Sequence, residues 1–316
     1  MTDTAPFTII IGCPRSGTTL LRAMLDSHPL LAVPPESYFL VPVLREAASY
    51  RTADGIDRPA IMRDIAANVS WPSWQVDPSV LDGIAADESL TTVPATLRAV
   101  YDRYAALHGK VRAIDKTPRH TEHVALIDRS YPDCRFVHLV RDGRDVVPSL
   151  QSMPYFPARF ADATLYWRDR VLSGREARTV VGPARYHELR YEDLVTDPER
   201  HLEALCRFLA VEYAPEMLDY TSRAESVISG TVGGAAHENI RRAPTRTRDW
   251  HTDMDRRDVA RFEALAGDAL AIFGYDRGPS PSVPVRLEAM ARHGVDTLGK
   301  RSRILRARVR RRLPGA

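Results

Sequence analysis

The stretch that most constrains this chain is its opening. An apolar, β-rich run, Phe7-Thr8-Ile9-Ile10-Ile11-Gly12, passes through Cys13-Pro14-Arg15-Ser16-Gly17 into Thr18-Thr19-Leu20-Leu21-Arg22-Ala23-Met24-Leu25-Asp26. A short, uninterrupted apolar run is what a strand buried on both faces requires. Leu20, Leu21, Met24 and Leu25 then recur at helical spacing, and His28-Pro29 closes the segment. Strand, glycine-containing loop and helix form the opening unit of a doubly wound α/β fold. Gly12 to Thr19 also keeps the glycine spacing and terminal hydroxyl of a phosphate-binding loop, GxxxxGK[ST], with Thr18 where the lysine would stand. Backbone N–H groups of such a loop, with the helix start behind it, make an anion cradle. Loss of the lysine argues against an ordinary nucleoside triphosphatase, while Arg15 can supply charge to a terminal anionic group. The bland alternative is a glycine turn with Arg15 in solvent.

The rest of the chain alternates in the same way. Residues 45–110 read as a mostly helical insertion over one edge of the core, broken by Trp71-Pro72 and Trp74. Residues 111–114 (VRAI) predict a second strand and residues 119–131 a helix. Residues 134–140 (CRFVHLV) are the clearest buried strand after the first, followed by Arg141-Asp142-Gly143-Arg144-Asp145 and a helix from about Asp145. Residues 185–189 predict a further strand, and residues 198–210 a helix with proline in its first turn. The expected fold is α/β: a P-loop-type doubly wound parallel β-sheet flanked by helices, with the helical insertion over one edge. One domain is expected over 1–285, with a basic tail, helical or disordered, over 286–316.

Composition narrows the class. With 44% hydrophobic and 27% charged residues in 316, the chain has material for a sizeable core. No stretch approaches the roughly eighteen apolar residues of a membrane span. Asp3 and the lack of a basic opening run argue against a signal peptide. Cys13, Cys134 and Cys206 are odd in number and lack metal-ligand spacing, so neither a disulfide scaffold nor a zinc site is expected, and the cytoplasm is the expected compartment. The net charge of +3 hides eight basic residues between Lys300 and Arg312; the 44 basic residues less these eight leave 36 against 41 acidic ones. The high isoelectric point therefore describes a tail.

Three segments carry a family resemblance. PRSGTTLLRAMLDSHP (14–29) resembles the 5′-phosphosulfate loop of sulfotransferases that use 3′-phosphoadenosine 5′-phosphosulfate (PAPS), most of all the tyrosylprotein sulfotransferases and their bacterial relatives. VHLVRDGRDVVPSL (137–150) is similar to the family's 3′-phosphate motif, an arginine ending a strand and a serine eight residues later, here Arg141 and Ser149. RYEDLVTDP (190–198) is similar to a third family segment, whose tyrosine, here Tyr191, lies near the nucleotide. The resemblance covers about 7–40, 111–150 and 185–275. It implies that Arg15, Ser16, Gly17, Thr18, Thr19 and Leu20 cradle the phosphosulfate, that PAP is the released product, and that no metal takes part.

The resemblance also implies the remaining roles. Cytosolic family members carry a histidine base in a Lys-Thr-His segment; this chain reads Lys116-Thr117-Pro118. The tyrosylprotein branch uses a glutamate about twenty residues after the loop arginine, and Glu36 stands there. Pro34 and Pro35 would hold that segment extended, and a nearby sulfonate would raise the Glu36 pKa. His120 is the rival base and His28 a weaker one; a surface carboxylate is the plain reading of Glu36. Lys116 matches the lysine that reaches the bridging oxygen, a task Arg15 shares. The stretch 237–250 resembles a late loop that closes over the nucleotide. Asp249 replaces the usual basic residue before Trp250, which leaves Arg248 as substitute and Arg241, Arg242 and Arg246 undecided.

For the acceptor, a small-molecule, glycan or glycolipid hydroxyl is expected, and no nucleic acid. Tyr38, Phe39, Trp71, Trp74, Tyr155, Phe156, Phe160 and Trp167 could line a cleft, though each reads more simply as packing. The tail over 300–312 reads equally as a peripheral contact with an anionic membrane at its inner surface or as a solvated basic tail. Two competing readings remain: a divergent P-loop kinase needing Mg²⁺, with Asp142 forced into the metal-binding role, and a non-catalytic anion- or lipid-docking module.

Overall fold

The computed structural model describes residues 5–223, 227, 241 and 248–278. The described residues divide into two units: the first holds residues 5–141 and those between 170 and 241, the second residues 142–169 and 248–278. The described strands are β1 (Thr8–Gly12), β2 (Leu31–Ala32), β3 (Arg51–Thr52), β4 (Gly55–Ile56), β5 (Arg112–Lys116), β6 (Arg135–Val140) and β7 (Tyr186–Arg190). The described helices are α1 (Thr18–Asp26), α2 (Leu40–Arg45), α3 (Arg58–Ala66), α4 (Ser79–Ala85), α5 (Val93–Leu107), α6 (Val124–Ser130), α7 (Gly143–Gln151), α8 (Phe160–Val181), α9 (Tyr191–Thr196), α10 (Pro198–Leu209), α11 (Trp250–Asp253) and α12 (Arg256–Ile272).

In the first unit five parallel strands lie in the order β2-β5-β1-β6-β7, and β3 with β4 makes a separate antiparallel pair. The two-residue period of a strand sends alternate side chains to opposite faces. Ile9, Ile11, Ala113 and Phe136 therefore join one core with Phe39, Trp71, Trp74 and Tyr101. Ile10, Ile114 and Val137 join the other with Leu21, Met24, Leu202 and Leu205. The helical insertion is α3, α4 and α5 with the β3–β4 pair, and its large aromatic residues belong to the first core. Phe39, Trp71, Trp74 and, in the second unit, Trp167 are buried packing residues.

Several boundaries differ from the sequence reading. β5 starts one residue later than expected and runs on through Asp115 and Lys116. The helix expected over 119–131 is a 3₁₀ turn, Pro118–His123, followed by α6. β2 went unread because two residues carry no periodicity. α7 begins two residues early, at Gly143, because the Asp142 side chain accepts from the Arg144 N–H and caps the helix.

The second unit is organised on that cap. Arg144, buried, pairs with Asp142 at 2.7 Å and Glu263 at 3.1 Å, donates to the Asp276 carbonyl at 2.7 Å, and lies 3.5 Å from the centre of the Trp250 ring. Gly143 lets α7 approach closely: a Cβ there would sit 2.4 Å from both Trp167 and Phe262. The basic run 300–312, Arg242, Arg246 and most of 237–247 lie outside the described residues.

Candidate active site

In the first unit, four adjacent parallel strands end on the residues that matter. β5 ends on Lys116, β1 on Gly12, β6 just before Arg141, and β7 just before Tyr191. The carboxyl ends of parallel strands are where open α/β sheets bind ligands. Gly12 has φ +154°, and a Cβ there would lie 2.4 Å from the Leu139 carbonyl oxygen. Its N–H donates to Thr121 Oγ1 at 3.1 Å, and that hydroxyl reaches the Pro118 carbonyl, tying the loop to the end of β5. Arg15 takes φ +73°, a left-handed conformation that costs a non-glycine residue about 1–2 kcal/mol. Gly17 follows at φ +93°, where a Cβ would meet the Tyr191 ring at 2.3 Å. The Arg141 guanidinium lies 4.4 Å from the centre of that same ring, a cation–π contact that holds it beside the loop.

The loop fits a bound anionic group. No side chain caps the N-terminus of α1, which leaves its first N–H groups to a ligand. Ser16 Oγ is fully buried with no hydrogen-bond partner among the described residues, and Thr18 and Thr19 are buried beside it. Among the described residues no group of three His, Cys, Asp or Glu side chains could hold a metal ion.

Glu36 and Lys116 form an ion pair, Nζ to Oε1 at 2.8 Å, with side-chain exposures of 22% and 1%. Tyr38 donates its hydroxyl to the other carboxylate oxygen at 2.7 Å. Burial lowers the Lys116 pKa below the ordinary lysine value; Glu36 acts against that and Arg22 adds to it. The segment carrying Glu36 is held on both sides. Before it, Val33 N–H donates to Asp26 Oδ1 at 2.9 Å and Val33 C=O accepts from Arg22 Nε at 2.8 Å, so α1 grips both backbone groups of one residue. After it, Ser37 N–H donates to Thr117 Oγ1 at 2.8 Å. Arg22 and Asp26 went unread as site residues; their spacing of four on one helix face was the available signal.

The two candidate histidines are engaged with other groups. His28 accepts the Leu30 N–H at Nδ1 (3.0 Å) and faces the Glu212 carbonyl through Nε2 (2.8 Å). His120 is buried, its Nε2 3.2 Å from Ser37 Oγ and 3.6 Å from Asp115 Oδ1, and burial lowers its pKa.

In the second unit, Ser149 is half-buried in the last turns of α7, its carbonyl accepting from Ser152 Oγ at 2.9 Å. Arg248 is half-buried just before α11. Asp249, the departure from the expected basic residue, caps α11 by accepting the His251 N–H. Trp250 N–H donates to Asp145 Oδ1 at 2.8 Å. Arg241 is exposed. Asp142 is committed to Arg144 and the α7 cap.

The profile of the sulfotransferase family matches residues 6–215, more than half of the sequence. The chain belongs to the sulfotransferase family. It is 28% identical to protein-tyrosine sulfotransferase 2 of Gallus gallus over 75% of this chain and 58% of that protein. It is 25% identical to protein-tyrosine sulfotransferase 1 of Danio rerio over 87% of this chain and 74% of that protein. It thus spans little more than half the length of the first relative. Among solved structures, the sulfotransferase domain from the Synechococcus PCC 7002 olefin synthase superposes with a TM-score of 0.62 at 23% identity, covering 88% of this chain and 98% of that domain, a likeness of fold.

Proposed function

We propose that this sulfotransferase-family chain transfers the sulfuryl group of PAPS to an acceptor hydroxyl, with Glu36 as general base. The observation that carries the reading is the Glu36–Lys116 pair at the end of β5, beside the anion-binding loop at the end of β1. When bound, PAPS supplies the activated sulfuryl group. The loop N–H groups, Ser16 and Arg15 hold its anionic end, and Arg141 takes the 3′-phosphate. Glu36 receives the acceptor proton on its carboxylate as the hydroxyl attacks. Lys116 would supply its ammonium charge to the donor's leaving phosphate. Glu36 is favoured over His120 because it is partly exposed, whereas the His120 ring faces Ser37 and Asp115 in the interior.

The acceptor is a small-molecule, glycan or glycolipid hydroxyl in this reading. A peptide tyrosine is the second reading, favoured by the names of the Gallus gallus and Danio rerio relatives. Calorimetric titration with PAP, against ATP plus Mg²⁺, tests the donor. Micromolar or tighter PAP binding with much weaker ATP is expected; the reverse would favour a kinase, and binding of neither a non-catalytic docking module. A PAPS-driven assay offering 4-nitrophenol, a glycolipid and a tyrosyl peptide then separates the acceptor classes. The basic run 300–312 is proposed to give a cytoplasmic chain peripheral contact with anionic membrane, to be tested by sedimentation with phosphatidylserine vesicles.

A further inference from the structure

Beneath the Glu36–Lys116 pair lies a buried carboxylate that the proposed chemistry does not use. Asp115 precedes Lys116 on β5 and is fully enclosed. Its Oδ2 collects three hydroxyl donors: Tyr101 at 2.7 Å, Thr117 at 3.2 Å, and Ser37 in a close contact. Its Oδ1 has no hydrogen-bond partner among the described residues, and His120 Nε2 stands 3.6 Å from it. A carboxylate in such a place is a costly way to fill space, since it must be taken out of water where an apolar side chain of similar volume would carry no such penalty. What the charge provides is a point of attachment. Ser37 directly follows Glu36 and Thr117 directly follows Lys116, and both hydroxyls fall on one oxygen of Asp115. Ser37 N–H also donates to Thr117 Oγ1, so the two segments are joined to each other as well as to the carboxylate. Tyr101 brings the same oxygen a third bond from α5, on the side of the insertion.

We infer that Asp115 is a positioning residue, which keeps Glu36 and Lys116 in mutual register by fastening the residue that follows each of them. The inference rests on the proposed roles of Glu36 and Lys116. Without this anchor the segment would keep its grips at Val33 and at Tyr38, whose N–H donates to Ser70 Oγ at 3.2 Å, but Glu36 and Lys116 would lose the point of attachment shared by the residues that follow them. Misplacing a reacting group by about an ångström costs on the order of 100-fold in rate.

The test uses the full chain and three variants. Asp115→Asn removes the charge, Thr117→Val removes the shared hydroxyl at nearly constant shape, and Thr117→Ser keeps it. Nitrogen-15 spectra of the lysine side chains report the Lys116 ammonium, whose protons exchange slowly while Glu36 holds them. Asp115→Asn and Thr117→Val are expected to speed that exchange by about 2- to 10-fold, the worth of one net hydrogen bond. Both should cut kcat with PAPS and 4-nitrophenol by about 10- to 100-fold, leave the PAP dissociation constant within about twofold, and see Thr117→Ser behave as wild type. Wild-type exchange in both disruptive variants overturns the inference. If Asp115→Asn does not fold, Thr117→Val and Tyr101→Phe carry the same measurement. Failure of the wild-type chain to bind PAP would instead overturn the proposed function, and the Lys116 exchange rates would still decide the role of Asp115.

Discussion

Replacing Glu36 by glutamine separates the two tasks that this side chain performs. The carboxylate holds a lysine that is 1% exposed, at 2.8 Å, while being 22% exposed itself. Breaking a fully buried pair by removing one partner costs about 3–5 kcal/mol, and exposed pairs are worth about 0.2–1 kcal/mol. Glutamine keeps a carbonyl oxygen as acceptor, so a loss of about 1–3 kcal/mol is expected, lowering Tm by about 2–10 °C. The sign of its pH dependence follows from Lys116. Glu36 raises the lysine pKa against the effect of burial, so the variant's lysine gives up its proton at lower pH than the wild type's. The stability difference is therefore largest where the lysine is protonated in both proteins and shrinks as pH rises and both become neutral. Turnover should fall by about 10²–10⁴-fold from loss of the base. PAP affinity should hold or improve, because glutamine competes less for Lys116. The assays are thermal unfolding between pH 7 and 10, PAP calorimetry and sulfuryl-transfer rates. Wild-type turnover would remove Glu36 as base, and a stability difference that grows with pH would refute the electrostatic account.

Arg141→Ala and Arg15→Ala should each weaken PAP binding by about 10- to 100-fold, the worth of a charge-assisted contact to phosphate; calorimetry showing unchanged affinity in both would abolish the proposed donor site. Arg144→Met leaves Asp142 and Glu263 as buried carboxylates facing a lost cation and should cost about 3–5 kcal/mol in urea unfolding, with Arg144→Met/Glu263→Gln recovering part of it; a loss below about 1 kcal/mol would contradict the buried pairing. His138 is buried beside the Tyr186 hydroxyl, and burial pushes its pKa down to about 3. The unfolded chain thus binds a proton below about pH 6.5 that the native chain refuses, so stability contributed by His138 is full above that pH and is lost as pH falls towards 3. His138→Phe should flatten the acid side of the stability curve, and an unchanged slope would exclude this residue as the cause.

The residues of the candidate site could be picked out from the chain alone because its parts are local. Gly12, Arg15, Ser16 and Gly17 share one turn between a strand and a helix, and Lys116, Arg141 and Tyr191 each sit at or just beyond the end of a strand read from the sequence, which in a parallel sheet puts them at one edge. Their order and spacing carry the resemblance, and the alternation of runs carries the fold. What escaped reading depends on contacts between distant residues. Ser37 and Asp115 are 78 positions apart, Arg22 grips Val33 through a backbone carbonyl, and Asp249 proves to be a helix cap. No composition or period announces such pairings, because any buried carboxylate looks like a surface one until the chain is packed around it. The aromatic residues are the converse case. Phe39, Trp71 and Trp74 look the same in sequence whether they line a cleft or fill a core, and only burial on one sheet face assigned them to the core. The strand–glycine loop–helix unit and the parallel sheet were legible in the chain, since both rest on short-range sterics and periodicity. The tertiary structure alone decided which charge meets which, since desolvation and distance set that, and both exist only in the folded chain.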